Sequence, residues 1–222
     1  DYYGGFRPGD GLFGTSVIAL NTETGEREWH YQTVKHDVWN YDNPAAPIQL
    51  DLNIPGRGRV PAVAQVTKQG YVYTFDRITG EPVWPMEYRE VPASEVPGEK
   101  LATTQPFPTK PPPFEMQGIE NDDLIDYTPE LRRDALEVMA NYKMGPLFNP
   151  PIHAENAAGL ISAAMCPGDG GGANIYAPPA ADPTMGFLFV PSANNCSWQR
   201  VIPGEEADAR IAEPTGTTFA AY

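Results

Sequence analysis

Residues 16–32 read SVIALNTETGEREWHYQ and residues 71–86 read YVYTFDRITGEPVWPM. Each is a short apolar strand, a polar turn containing Thr-Gly, and a second arm that ends at a Trp. Placing Thr24-Gly25 on Thr79-Gly80 brings Trp29 onto Trp84, Asn21 onto Asp76 and Glu26 onto Glu81, all at one offset of 55 residues. A strand–turn–strand unit that recurs with its punctuation intact marks a repeat architecture. ADPTMGFLFVPS at 181–192 has another turn followed by an apolar strand and reads as a weaker third copy. Repeats of about 50 residues made of β-hairpins point to the blades of a β-propeller. Two unrelated hairpins in a sandwich are the competing reading, and the shared Trp speaks against it.

At that repeat length the 222 residues hold three to four blades. A propeller closes its ring to remove its sheet edges, so the chain is expected to be a portion whose partner is the rest of the ring. The opening residues, DYYGGFRPGDGLFG, likewise read as the middle of a protein. The expected fold is all-β, a propeller portion with one helix-containing insertion. Blades occupy 1–109 and 161–222, and a Pro-rich loop with a helix occupies 110–160.

Composition agrees with many short strands. The chain has 25 Pro and 21 Gly, which favour turns over long helices. A net charge of −14 argues against a nucleic-acid partner, whose phosphates it would repel. No apolar run approaches the roughly 18 residues that span a bilayer, and none reads as a signal peptide. Pro111-Pro112-Pro113 cannot join a sheet ladder, so 91–128 is a surface excursion. Its acidic run, Glu120, Asp122 and Asp123, faces water. A helix follows, with Thr128 as N-cap, Pro129 at its first position and Gly145-Pro146 as its stop. Leu131, Ala135, Val138, Met139 and Tyr142 form the face expected to pack on the blades.

The stretch WHYQTVKHDVWNYDNPAAPIQLDL at 29–52, continued by VPAVAQVTKQG at 60–70, mixes rings with His, Asn, Lys and acidic residues. Each buried polar group there must find a partner, so the stretch reads as the rim of a binding site. Lys68 falls between two apolar strands, where burial without a partner is costly; a strand-end Lys at a turn is the plain alternative. Trp39 reads as packing and His36 as a structural histidine. The letters around His30 and His153 assign neither a role. Gly170-Gly171-Gly172 brings backbone close to a strand or a ligand. Cys166 and Cys196 are either a disulfide or two buried thiols; neither has the CxxC or nearby His of a metal site.

These residues together resemble the pyrroloquinoline quinone (PQQ)-dependent dehydrogenases, especially the membrane-type glucose dehydrogenase branch. The likeness runs through W-x-x-Q-T-V-x-H-D-x-W-[DN]-x-D at Trp29–Asp42, Pro44 to Pro47, T-K-x-G at Thr67–Gly70 and F-D-R-x-T-G-E-P at Phe75–Pro82. It continues in T-Q-P-F-P at Thr104–Pro108, G-G-x-N at Gly171–Asn174 and Asp182-Pro183. It is loose over 110–160. The resemblance implies an eight-bladed propeller whose repeated Trp residues lock blade to blade. It implies an enzyme that passes a hydride from an alcohol or sugar to bound PQQ, with Ca²⁺ or a lanthanide, and on to a quinone or cytochrome acceptor. Lys68 matches the cation at the quinone oxygens and Asn174 an Asn near that edge. Cys166 and Cys196 match a disulfide of some relatives, which implies an oxidising compartment, the periplasm, with attachment to the inner membrane as an option.

Two residues depart from the pattern. Ile175 stands where relatives often have Trp. Asn40 stands where the family carries its catalytic Asp, and a neutral amide orients a substrate but accepts no proton near pH 7. Three accounts follow: Asp42, also a metal ligand in lanthanide users, serves as base; His36 or Asp37 does; or the chain is a non-catalytic scaffold.

Overall fold

The hairpin β1 (Ser16–Leu20) and β2 (Arg27–Gln32) pairs antiparallel, with Val17 opposite Tyr31. These coordinates are a computed structural model that describes residues 2–173 and 178–204, with the backbone of 218–221. An antiparallel meander follows, β3 (Ile48–Ile54), β4 (Gly58–Val66) and β5 (Val72–Asp76), with β4 in the middle. β4 alternates little because both its faces are covered from Ala62 to Val66.

The turns explain the repeated letters. Asn21 Oδ1 accepts the Glu23 and Thr24 N–H groups, Thr24 Oγ1 accepts the Glu26 N–H, and Gly25 N–H closes on the Asn21 carbonyl at φ 74°. Asp76, Thr79 and Gly80 repeat every one of these bonds, with Gly80 at φ 76°. Asp182 accepts the Thr184 and Met185 N–H groups and Gly186 closes the turn at φ 71°, so the third copy is built alike. Asx satisfies two donors, Thr a third, and Gly takes the left-handed position that a Cβ resists. Val190 stands where the first two copies have Trp.

Trp29 lies across the second turn. Its indole N–H donates to the Arg77 carbonyl at 3.2 Å, and a Cβ on Gly80 would stand 2.5 Å from its Cγ. Trp84 packs with Val60, Ala62 and Val83 and, with Pro183 to Gly186, lines a groove of about 560 Å³. Each Trp therefore faces the turn of the following copy. Gly80→Ala should cost about 2 kcal/mol in urea unfolding, from the left-handed φ and the displaced ring. Gly25→Ala shares the φ but meets nothing within 4 Å, so it should cost about half as much. Equal losses would mean that Trp29 contributes nothing there.

Two expectations need correction. The second copy is not a full hairpin. Val83 N–H still reaches the Thr74 carbonyl and Asp76 N–H the Glu81 carbonyl, but the returning arm is a single bridge, Phe75 to Pro82. Pro82 and Pro85 lack the N–H that a strand needs, and β6 (Met86–Glu90) pairs instead with β7 (Thr104–Pro108). The helix α1 (Pro129–Met139) starts as expected, with Thr128 Oγ1 accepting the Leu131 N–H and Pro129 at its first position. Its inward side, however, is Ala135, Leu136 and Met139, while Leu131 and Val138 are exposed. The face is rotated because Arg132 turns inward and donates to the Leu124 carbonyl at 2.9 Å.

After the helix, a sheet forms in the order 152–153, 197–202, 162–165, 142–143, drawing strands from both sides of residue 160. Cys166 and Cys196 are bonded to each other at its end. The core joins Val34, Trp39 and Tyr41 to Tyr73, Phe75, Phe107, Phe148 and Met165. Trp39 meets Phe148 edge-on at 5.0 Å, and Phe107 meets Phe148 at 5.7 Å. Thus half of the ring-rich stretch is core, and it holds the loop 33–43 rigid from beneath.

Candidate functional site

Asp37 organises that loop. Its Oδ1 accepts the Trp39 N–H at 2.9 Å, its Oδ2 accepts Thr15 Oγ1 at 3.0 Å, and its carbonyl accepts from Arg7 at 2.6 Å. Trp39 and Tyr41 are fully buried; the Trp39 indole donates to the Asn149 carbonyl at 3.0 Å and the Tyr41 hydroxyl to the Pro167 carbonyl at 2.6 Å. Asn40, between them, sits at φ 58°, a left-handed value that Asn tolerates better than most residues. Asp37, Asn40 and Asp42 line one cavity of about 150 Å³ with Arg7, Thr15 and Gln32.

Lys68 enters from the end of β4. Its Nζ donates to Asp42 Oδ1 at 2.5 Å and to the Asn40 carbonyl at 2.9 Å. The Lys68 side chain is 7% exposed and that of Asp42 55%. Lys68 does stand in the turn between β4 and β5, as the plain alternative had it, but it is buried and ion-paired there and does not point into solvent. The triple glycine holds Lys68 from behind: Ala173 N–H donates to the Thr67 carbonyl at 3.1 Å, and a Cβ on Gly172 would stand 2.3 Å from the Lys68 carbonyl oxygen. Gly172 thus brings backbone close to backbone, but at the turn after β4 and not along a strand.

The structure does not use every candidate as a base. His36 has its ring nitrogens 2.5 Å from the Gly9 carbonyl and 3.1 Å from the Gly4 carbonyl, and is buried. It ties the segment 4–9 to the loop. Asp37 is committed to its own turn. Burial pushes its carboxyl up, against hydrogen bonds from the Trp39 and Tyr41 N–H groups and Thr15. Since the folded value lies above the ordinary one, ionising Asp37 costs stability. That cost is absent below about pH 4, grows as pH rises and is complete above the folded value. Asp37→Asn keeps the acceptor for Trp39 and removes the ionisation. Its melting temperature should gain on the wild type as pH rises from 4 to 8; a difference that stays flat would show that the fold does not push the Asp37 carboxyl up.

Three further residues join the site. Tyr2 donates to Asp169 Oδ2 at 2.5 Å, Ser197 donates to Asp169 Oδ1, and Asn40 is hydrogen-bonded to Tyr2. Burial pushes Asp169 up, but the bonds from Ser197 and Tyr2 and the field of Lys68 outweigh it and hold the carboxyl below the ordinary range. Burial, then the bond to Asp169, pushes the Tyr2 phenol up. Asp169 stood in plain view as an acid among four glycines; Tyr2 carried no signal. Asn174 and Ile175 lie outside the described residues.

A family model described as the glucose/ethanol/alcohol dehydrogenase (PQQ) beta-propeller domain matches residues 1–220. The chain belongs to this family. The quinate/shikimate dehydrogenase (quinone) of Acinetobacter baylyi (strain ATCC 33305 / BD413 / ADP1) is 31% identical over 215 residues, 95% of this chain and 25% of the relative. The quinoprotein glucose dehydrogenase of Escherichia coli (strain K12) is 39% identical over 108 residues, 48% of this chain and 13% of the relative. A solved europium-containing methanol dehydrogenase superposes with a TM-score of 0.52 at 18% identity, over 88% of this chain and 26% of that one, and shares the fold. The sheets of this PQQ-family chain are therefore blades of a β-propeller, and the chain spans about a quarter of the length of its relatives, or less.

Proposed function

We propose that this chain forms the cofactor-facing part of a quinoprotein oxidoreductase that moves a hydride from an alcohol or sugar carbon to PQQ. The observation that carries the reading is the Lys68 ammonium, buried but aimed at the cavity rim through Asn40 and Asp42. Such a cation suits an anionic, carbonyl-rich group, and PQQ carries both carboxylates and quinone oxygens. When bound, that group supplies the electron acceptor. Lys68 would bind the quinone oxygens and stabilise negative charge there. Asn40 would orient a substrate hydroxyl, and Asp42 would hold Lys68 in place.

Asp42 also offers one oxygen to Ca²⁺ or a lanthanide. Among the described residues no group of three His, Cys, Asp or Glu side chains is placed to hold a metal, so the other ligands would come from elsewhere in the ring. The Trp29 and Trp84 contacts support blade docking by tryptophan. The Cys166–Cys196 bond supports an oxidising compartment, the periplasm in this reading. The names of the two relatives support a small polyhydroxylated substrate, and a quinone or cytochrome would take the electrons.

The test is to load the full-length protein with PQQ and Ca²⁺, or with a lanthanide, and follow dye reduction with quinate, glucose and a panel of alcohols. Turnover, with quinone absorbance above the protein band, is expected. Tight PQQ binding without turnover on any substrate would favour the scaffold reading, which rests on the amide at Asn40. No PQQ binding at all would remove the oxidoreductase reading.

A further inference from the structure

Asn40 cannot take a proton, yet it is wired to two groups that can pass one on. Its side chain meets the Tyr2 hydroxyl, which donates to Asp169 at 2.5 Å. The neighbouring acids are otherwise engaged: Asp42 grips Lys68, and Asp37 has both carboxyl oxygens bonded, one to the Trp39 N–H in its own loop and one to the Thr15 hydroxyl. Asp169 is held ionised by Ser197, Tyr2 and Lys68, and reaches Asn40 through one phenol.

We propose that Tyr2 and Asp169 replace the missing carboxylate as a two-step proton relay, with Tyr2 as the group that touches the substrate hydroxyl. This rests on the oxidoreductase reading above. The substrate O–H bond breaks as its proton moves to Tyr2 Oη, and the Tyr2 proton moves to Asp169 Oδ2. The C–H electron pair leaves as hydride to a quinone acceptor, and the carbon becomes a carbonyl. Asn40 orients the hydroxyl towards Tyr2. Ser197, bonded to the other carboxylate oxygen and also accepting the Asp169 N–H at 3.0 Å, keeps Oδ2 turned to Tyr2. Asp169 acts through Tyr2 and is a positioning residue. Its separation from Tyr2 by 167 residues shows that the relay is made by the fold and not by a local motif.

The experiment compares Tyr2→Phe, Asp169→Asn and the double variant Asn40→Asp/Asp169→Asn in the full-length, PQQ-loaded protein. Each single variant should lower kcat by about 10²-fold, with KM changed less than threefold. PQQ affinity, read by fluorescence quenching, should stay within threefold and the melting temperature should stay close to the wild type's. Asn40→Asp should restore most of the lost kcat, because it returns a carboxylate to the hydroxyl without changing a backbone that Asp also tolerates. Wild-type kcat in Asp169→Asn, or a loss of PQQ affinity matching the loss of kcat, would overturn the relay while the oxidoreductase reading stands. A wild-type protein that binds PQQ but turns nothing over would overturn both; one that binds no PQQ ends the oxidoreductase reading and the relay with it.

Discussion

Lys68→Ala is expected to lower PQQ-dependent dye reduction in the full-length protein by about 10²–10³-fold, the usual consequence of removing one preorganised charge aimed at developing negative charge. Stability should fall far less. The ion partner, Asp42, is more than half exposed, so it regains water when the ammonium goes, and pairs of that kind contribute about 1 kcal/mol or less. A fully buried partner would have turned the same deletion into a loss of several kcal/mol. The buried methylene stem adds a packing loss of about 1 kcal/mol. The decisive measurement is therefore a pair: PQQ affinity and urea midpoint on the same preparation. Affinity should collapse while the midpoint moves modestly. If both fall together, Lys68 is a structural tie between β4 and the loop. If neither moves, the cofactor assignment fails.

How much of this could be read from the letters depends on how local the cause is. The turns were legible because Asn21, Asp76 and Asp182 satisfy donors two and three residues away, within reach of any reader of the sequence. Lys68 was legible because a charge between two apolar strands must be accounted for. The helix face was not, because Leu131, Leu136 and Val138 are all aliphatic and only their spacing distinguishes an inward position from an outward one. Which of them is covered was decided by Arg132 reaching a carbonyl in the preceding loop. The second returning arm carries its own veto in Pro82, because a residue without an N–H cannot continue the ladder that the repeated Trp suggests. The Tyr2–Asp169 contact lay beyond reach, since it joins residues 167 positions apart and nothing in either neighbourhood marks the other.

Gly172→Ala should be the most damaging single-methyl change near the site. Its φ is 59°, where a Cβ costs about 1–2 kcal/mol. The new carbon would also stand 2.3 Å from the Lys68 carbonyl oxygen, 2.7 Å from its carbon and 2.8 Å from its Cα. At Gly80 the obstruction is a side-chain ring that can tilt; at Gly172 it is backbone. Nor can Gly172 retreat, because its N–H and carbonyl are both bonded to Ala193, at 3.0 and 3.1 Å, while Ala173 is bonded to Thr67. Overpacking of this kind adds about 1–3 kcal/mol, giving a loss of about 3 kcal/mol or more out of the 5–15 typical of a domain. Because the displaced atoms belong to Lys68, PQQ affinity should fall with stability, unlike the split expected for Lys68→Ala. Gly170→Ala is the control: its Cβ would meet only Asn195 Nδ2, at 3.7 Å, an ordinary contact. It should leave both quantities almost unchanged. If Gly172→Ala proves as mild as Gly170→Ala, the glycine run is not what presses Lys68 into place, and the ammonium must be held by Asp42 and the Asn40 carbonyl alone.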